Sequence, residues 1–99
     1  MDMQILSQAT IVLWLFLDCE LKEYTFSANR NSMDGRMDFY VNGTNNDSIV
    51  YSVQFNNVNT VLITSPNISL SAGDLLRLKW NDEGQNPRDA VSTFDFLIL

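Results

Sequence analysis

Apolar and polar residues alternate with a period of two along much of this chain. Met37, Phe39 and Val41 alternate with Asp38 and Tyr40, and Ile49, Tyr51, Val53 and Phe55 alternate with Ser52 and Gln54. Further on, Leu76, Leu78 and Trp80 share one parity while Arg77 and Lys79 take the other. Side chains of a strand point alternately to its two faces, so each segment predicts a strand with one buried and one wet face. Residues 21–28, 58–63 and 67–70 predict further strands, the second rich in β-branched residues and closed by Pro66. Asn42-Gly43, Asn56-Asn57 and Ser71-Ala72-Gly73 mark turns between them, and no segment carries a helical period. Residues 81–89 read as a polar loop and residues 90–99 as the last strand.

Two segments depart from the alternation. Residues 11–17 (Ile-Val-Leu-Trp-Leu-Phe-Leu) and 94–99 (Phe-Asp-Phe-Leu-Ile-Leu) are apolar on both faces when read as strands. One face of each belongs to the domain core, and the other needs separate cover. A second copy of the chain is the expected cover, with Trp14, Phe16, Phe94, Phe96 and Ile98 as the oligomer-contact zone; a loop or the N-terminal segment is the alternative. Register decides which of these residues faces the partner, since a slip of one residue exchanges the faces.

The strands number about eight. Together they predict an all-β fold, a two-sheet antiparallel β-sandwich of jelly-roll type, as one domain over residues 1–99. Residues 1–8 are expected to form a flexible or inter-subunit segment.

Composition narrows the function classes. A chain of 99 residues builds one core. Its net charge of -6, from 12 acidic against 6 basic residues, disfavours nucleic acid and anionic membrane surfaces as partners. Neutral glycans and proteins stay open. The chain has no histidine, which removes serine-histidine and cysteine-histidine catalysis within one chain and the commonest transition-metal ligand. Cys19 is the single cysteine, so it makes no internal disulfide; it reads as a small buried apolar residue or as a crosslink between chains. Residues 11–17 have the length of a signal-peptide core but lack a basic flank and a small-residue cleavage site, and they fall far short of the roughly 20 residues that span a bilayer. They are read as part of the fold.

Leu70-Ser71-Ala72-Gly73-Asp74-Leu75-Leu76-Arg77-Leu78, followed after a polar loop by Ser92-Thr93-Phe94-Asp95-Phe96-Leu97-Ile98, resembles the C-terminal half of the jelly-roll modules related to tumour necrosis factor and the complement globular heads. Phe39-Tyr40-Val41-Asn42-Gly43-Thr44 is similar to a hairpin upstream in the same modules. The chain looks most like the minimal versions found in viral and bacteriophage fibre heads. It departs from the longer members in its length and in carrying Asp95 where a small residue is frequent. The resemblance implies a homotrimer whose threefold axis is lined by the sheet holding the first and last strands. It also implies a virion-surface or extracellular location and a non-enzymatic role in assembly and in binding a host-surface glycan or protein. Gly73-Asp74 and Asn42-Gly43 equally have the ordinary meaning of turn residues, Gly for positive φ and Asp for capping.

Ligand contacts are expected on loops held by the scaffold, over residues 29–36, 42–47 and 81–88, with Asn31, Asn45, Asp82, Glu83 and Gln85 as candidates because amides and carboxylates suit sugar hydroxyls. Tyr40 and Tyr51 could stack on a sugar ring or serve as ordinary strand residues. Asp82, Glu83 and Asp89 could offer oxygens to calcium, but the loop lacks the spacing of a helix-loop-helix calcium site, and no cofactor is expected. Asn42-Gly43-Thr44, Asn46-Asp47-Ser48 and Asn67-Ile68-Ser69 match the N-glycosylation acceptor, as an Asn-rich sequence does by chance. No nucleophile motif, phosphate loop or metal spacing is present. The alternative to the fibre head is a monomeric carbohydrate-binding β-sandwich module belonging with a secreted hydrolase.

Overall fold

The structure, a computed structural model, describes residues 2–7, 10–28, 33–58, 61–82 and 90–99. Nine strands appear among them: β1 (Asp2–Ser7), β2 (Thr10–Trp14), β3 (Cys19–Ser27), β4 (Met33–Val41), β5 (Ile49–Val58), β6 (Val61–Thr64), β7 (Ile68–Leu70), β8 (Leu75–Asp82) and β9 (Ala90–Ile98). A single 3-10 turn, Asn46–Ser48, precedes β5. All pairings are antiparallel. One sheet has the order β1-β9-β3-β6, with β7 also on β3, and the other has the order β2-β8-β4-β5.

The pairs are nested. β4 and β5 form the innermost pair, β3 meets β6 and β7, β2 meets β8, and β1 meets β9. The chain is thus one long hairpin rolled into two sheets, the jelly-roll solution that leaves each sheet one face for a shared core. The expected all-β sandwich is the observed fold.

That nesting places the two-sided apolar segments differently from expectation. The partner of the last strand is β1, with Met3 opposite Phe94 and Ile5 opposite Ser92. Residues 11–14 lie in the other sheet against β8, with Ile11 opposite Leu78 and Leu13 opposite Leu76. The two apolar ends therefore do not share a sheet. Residues 2–7 form a paired strand rather than a flexible segment, because they supply the hydrogen bonds that the outer edge of β9 needs.

Two smaller boundaries also differ. Asn56-Asn57 does not end β5, which continues to Val58, and the single strand expected over residues 58–63 is divided between the end of β5 and β6. β6 and β7 together occupy one edge of β3, pairing its two halves on either side of Pro66. A proline lacks the N–H a ladder requires, so an edge interruption suits it.

The core is aromatic and spans both sheets. Tyr24 of β3 meets Phe39 of β4 edge-on at 5.1 Å between ring centroids, and Phe26 of β3 packs on Phe55 at 5.3 Å and on Trp80 at 6.0 Å. Phe94 and Phe96 of β9 are fully enclosed beside them. Each such ring removes about 1.5 to 3 kcal/mol worth of apolar surface from water. Gly35 allows this packing, because a Cβ there would lie 2.5 Å from Cζ2 of Trp80 and 2.6 Å from the carbonyl oxygen of Asn81. The seam where β5 passes to β6 is tied by a hydroxyl pair between Tyr51 and Thr64.

Candidate functional site

The outer face of the β2-β8-β4-β5 sheet gathers the chemistry. On β2, Ile11 and Leu13 point into the core, so Val12 and Trp14 point outward, and Trp14 is 66% exposed. On β8, Leu76, Leu78 and Trp80 are buried, which turns Arg77, Lys79 and Asn81 outward. On β4 the outward residues are Arg36, Asp38 and Tyr40, and on β5 they include Ser52 and Gln54. Cross-strand register sets them in rows: Val12, Arg77 and Tyr40 in one, Lys79, Asp38 and Ser52 in the next.

Asp38 is the hub of this face. Its Oδ1 accepts from Arg36 Nε at 2.8 Å and from Ser52 Oγ at 2.6 Å, and its Oδ2 accepts from Arg36 Nη2 at 3.0 Å and Asn81 Nδ2 at 2.8 Å. Gln54 Nε2 donates to the Gly35 carbonyl at 2.9 Å and continues the row. Burial by itself would raise the Asp38 carboxyl. The hydrogen bonds from Arg36, Ser52 and Asn81, with the Arg36 charge, outweigh it and hold the group below the usual carboxylate range. Asp38 is thus a fixed anion that orders three neighbouring side chains. Tyr40 is buried on the same face, outside the core cluster.

The sequence-based candidates fall in several places. Phe94 and Phe96 are enclosed by this chain's own core, at 0% and 2% exposure, while Trp14, Phe16 and Ile98 are exposed. The five residues are therefore not one contact zone: β2 and β9 belong to opposite sheets, and the inward parity of β9 takes both phenylalanines. Asp95 faces outward on the alternate parity, so its carboxylate meets no packing conflict. Asn45 is exposed at the start of the 3-10 turn and makes no side-chain capping bond. Asp82 ends β8, and Asn31, Glu83 and Gln85 lie outside the described residues. Most of the carboxylate loop considered for calcium lies there too. Among the described residues no group of three or more His, Cys, Asp or Glu is placed to hold a metal, and no helix is long and apolar enough to cross a membrane.

The two motifs quoted for the resemblance meet in space. Asn42, at φ 58°, donates from Nδ2 to Asp74 Oδ1 at 2.9 Å and accepts from the Leu75 N–H at 2.9 Å. Asp74 in turn accepts from the Ser71 N–H at 2.8 Å, and Gly73 takes φ 93°. These bonds hold Asp74 below the usual carboxylate range, the Ser71 N–H contributing most. They brace turns. Cys19 is enclosed, and burial pushes its thiol up, with the Asp18 and Asp74 charges adding to the rise. This is a packing residue in a protonated state.

The alternation along β8 placed Arg77 and Lys79 on the wet face in advance. Arg36 and Asn81 stand at the ends of two expected ligand-contact segments, residues 29–36 and 81–88, and Ser52 in none, but their meeting at Asp38 depends on a register that residue types alone do not specify.

No family model matches this sequence, and no curated protein matches it. Solved structures share its fold. A β-glucosidase from Paenibacillus barengoltzii superposes with a TM-score of 0.59 at 16% identity over 96% of this chain. A GH26-CBM35 β-(1,4)-mannanase from Podospora anserina gives 0.51 at 15% identity over 85% of this chain. The chain spans 10% of the first protein and 18% of the second. The core of the Drosophila protein NLP, described for pentamer formation and histone binding, gives 0.52 at 10% identity and is covered over 96% of its length. At these identities the likeness concerns the fold alone.

Proposed function

We propose that this chain is a non-catalytic carbohydrate-binding module of the β-sandwich kind, monomeric and extracellular, of the sort carried by larger glycan-degrading enzymes. The observation that carries the reading is Trp14, two-thirds exposed on a sheet face that also carries the hydrogen-bonded cluster of Arg36, Asp38, Ser52 and Asn81. An exposed indole gives a flat apolar surface for the C–H face of a sugar ring, and ordered polar side chains farther along the same face suit the hydroxyls of an extended saccharide. Jelly-roll segments within a β-glucosidase and a mannanase support the same reading at the level of architecture. With residues 11–14 and 90–98 in opposite sheets, the zone of Trp14, Phe16, Phe94, Phe96 and Ile98 lends no support to a threefold axis.

Titration with a panel of plant and microbial oligosaccharides, followed by indole fluorescence and amide chemical shifts, tests the proposal. Binding that moves Trp14 and disappears in Trp14→Ala, with the melting temperature unchanged, is the expected result. A stable trimer by light scattering, or no response to any saccharide, overturns it.

A further inference from the structure

The chain is acidic overall, yet its outer sheet faces differ in sign. Glu20, Glu23 and Asp95 face outward from the β1-β9-β3-β6 sheet, where Lys22 is engaged by Glu20 at 3.2 Å. The opposite face carries Arg36, Arg77 and Lys79. Asp38 neutralises Arg36, and Asp34, the other acid on β4, lies six residues along the strand from Tyr40, about 20 Å from the Arg77 row. Asp38 stands opposite Lys79 in register but is already engaged by Arg36, so the cations Arg36, Arg77 and Lys79 outnumber it on this face. Among the described residues neither Arg77 nor Lys79 has a hydrogen-bond or ion-pair partner, and Nε of Arg77 is shielded from solvent without one.

The position of these cations relative to Trp14 is fixed by register. Trp14 stands opposite Leu75 and Val12 opposite Arg77, which puts the indole and the guanidinium on diagonal positions of one face, about 7 to 8 Å apart at their origins. Val12 and Tyr40 stand on either side of Arg77 in register. Arg77 is half-buried on this face, and the planar fork of a guanidinium matches a carboxylate presented from solvent. The acidic opposite face lies more than the sheet spacing of about 10 Å away, beyond the screening length of about 8 Å at physiological salt, so it leaves a singly charged ring unopposed. A long polyanion would reach that acidic surface and be repelled.

We infer that the Trp14, Arg77 and Lys79 stripe binds an acidic saccharide, a uronate whose ring stacks on Trp14 and whose carboxylate pairs with Arg77 and Lys79. This rests on the carbohydrate-binding reading and names the class of sugar.

Trigalacturonate and its fully methyl-esterified form, identical in ring and differing in charge, are the probes, with indole fluorescence and amide shifts as the readout. The acid should bind at least about tenfold tighter than the ester, the worth of one charge-assisted hydrogen bond. That preference should shrink as salt rises and vanish in Arg77→Gln and in Lys79→Gln, each checked by melting temperature, and should persist in Lys22→Gln on the far face. Equal binding of acid and ester, or binding of the ester and neutral sugars alone, overturns the inference and leaves the carbohydrate-binding module standing. Failure of acid, ester and every neutral saccharide overturns both. Full competition by inorganic phosphate at matching concentration also overturns it, because the stripe would then hold anions without regard to the ring.

Discussion

Asn42 and Asp74, 32 residues apart, lock two turns together: the amide of Asn42 donates to the carboxylate at 2.9 Å while its carbonyl oxygen receives the Leu75 N–H. The Asn42 backbone N–H completes the exchange by donating to the Leu75 carbonyl, also at 2.9 Å. The connection after β4 and the turn before β8 are therefore one unit at one end of the sandwich. Asn42 serves both demands of the place, since it tolerates positive φ and carries a donor and an acceptor.

Asn42→Ala loses both side-chain bonds and meets the cost of a left-handed backbone, about 2 to 3 kcal/mol together. Asn42→Gly loses the bonds alone and should cost about 1 kcal/mol less. Urea unfolding of the two variants measures the difference, and equal losses would mean that the φ value is not what selects the residue.

Asp38 links stability to pH. Its carboxyl is held below its ordinary value in the folded state, so its contribution is complete above the unfolded value near 3.9 and is lost as pH falls through the folded one. Stability should therefore stay level between pH 7 and 5 and drop below about pH 4. In Asp38→Asn that acid drop should be shallower, with a remainder from Asp74, whose carboxyl is shifted in the same direction. Unfolding free energies measured from pH 7 to 2 check this.

Gly35→Ala places a methyl group 2.5 Å from the Trp80 ring and 2.6 Å from a backbone oxygen that cannot move cheaply. A loss of about 3 kcal/mol is expected, with a shift in Trp80 fluorescence as the ring is displaced. Unchanged stability and emission would show that β4 and β8 have slack at this point.

The Tyr51 and Thr64 hydroxyls join the edge of one sheet to the edge of the other. Tyr51→Phe should cost about 1 kcal/mol because it leaves the Thr64 hydroxyl without its partner. Adding Thr64→Val should recover much of that loss, since removing both polar groups leaves nothing unsatisfied. A double-mutant cycle in urea gives the coupling, and simple additivity would exclude a bond across the seam.

Alternation by itself determined the fold class and most of the core. The inward parity of Leu76, Leu78 and Trp80 and the outward parity of Arg77 and Lys79 follow from successive side chains taking opposite faces, a local property that needs no partner strand. The turns at Asn42 and Gly73 were equally legible, because positive φ narrows the residue choice at single positions. Which strands meet was decided only by the tertiary structure. The segment with Trp14 carries enough apolar surface to suit either sheet, and only the rolled hairpin, with β1 taking the edge of β9, assigns it to β8 and leaves the indole outside. The Asp38 hub has the same origin. Arg36, Ser52 and Asn81 reach one carboxylate through the register of three strands, and a period of two is the same for every register that differs by two residues.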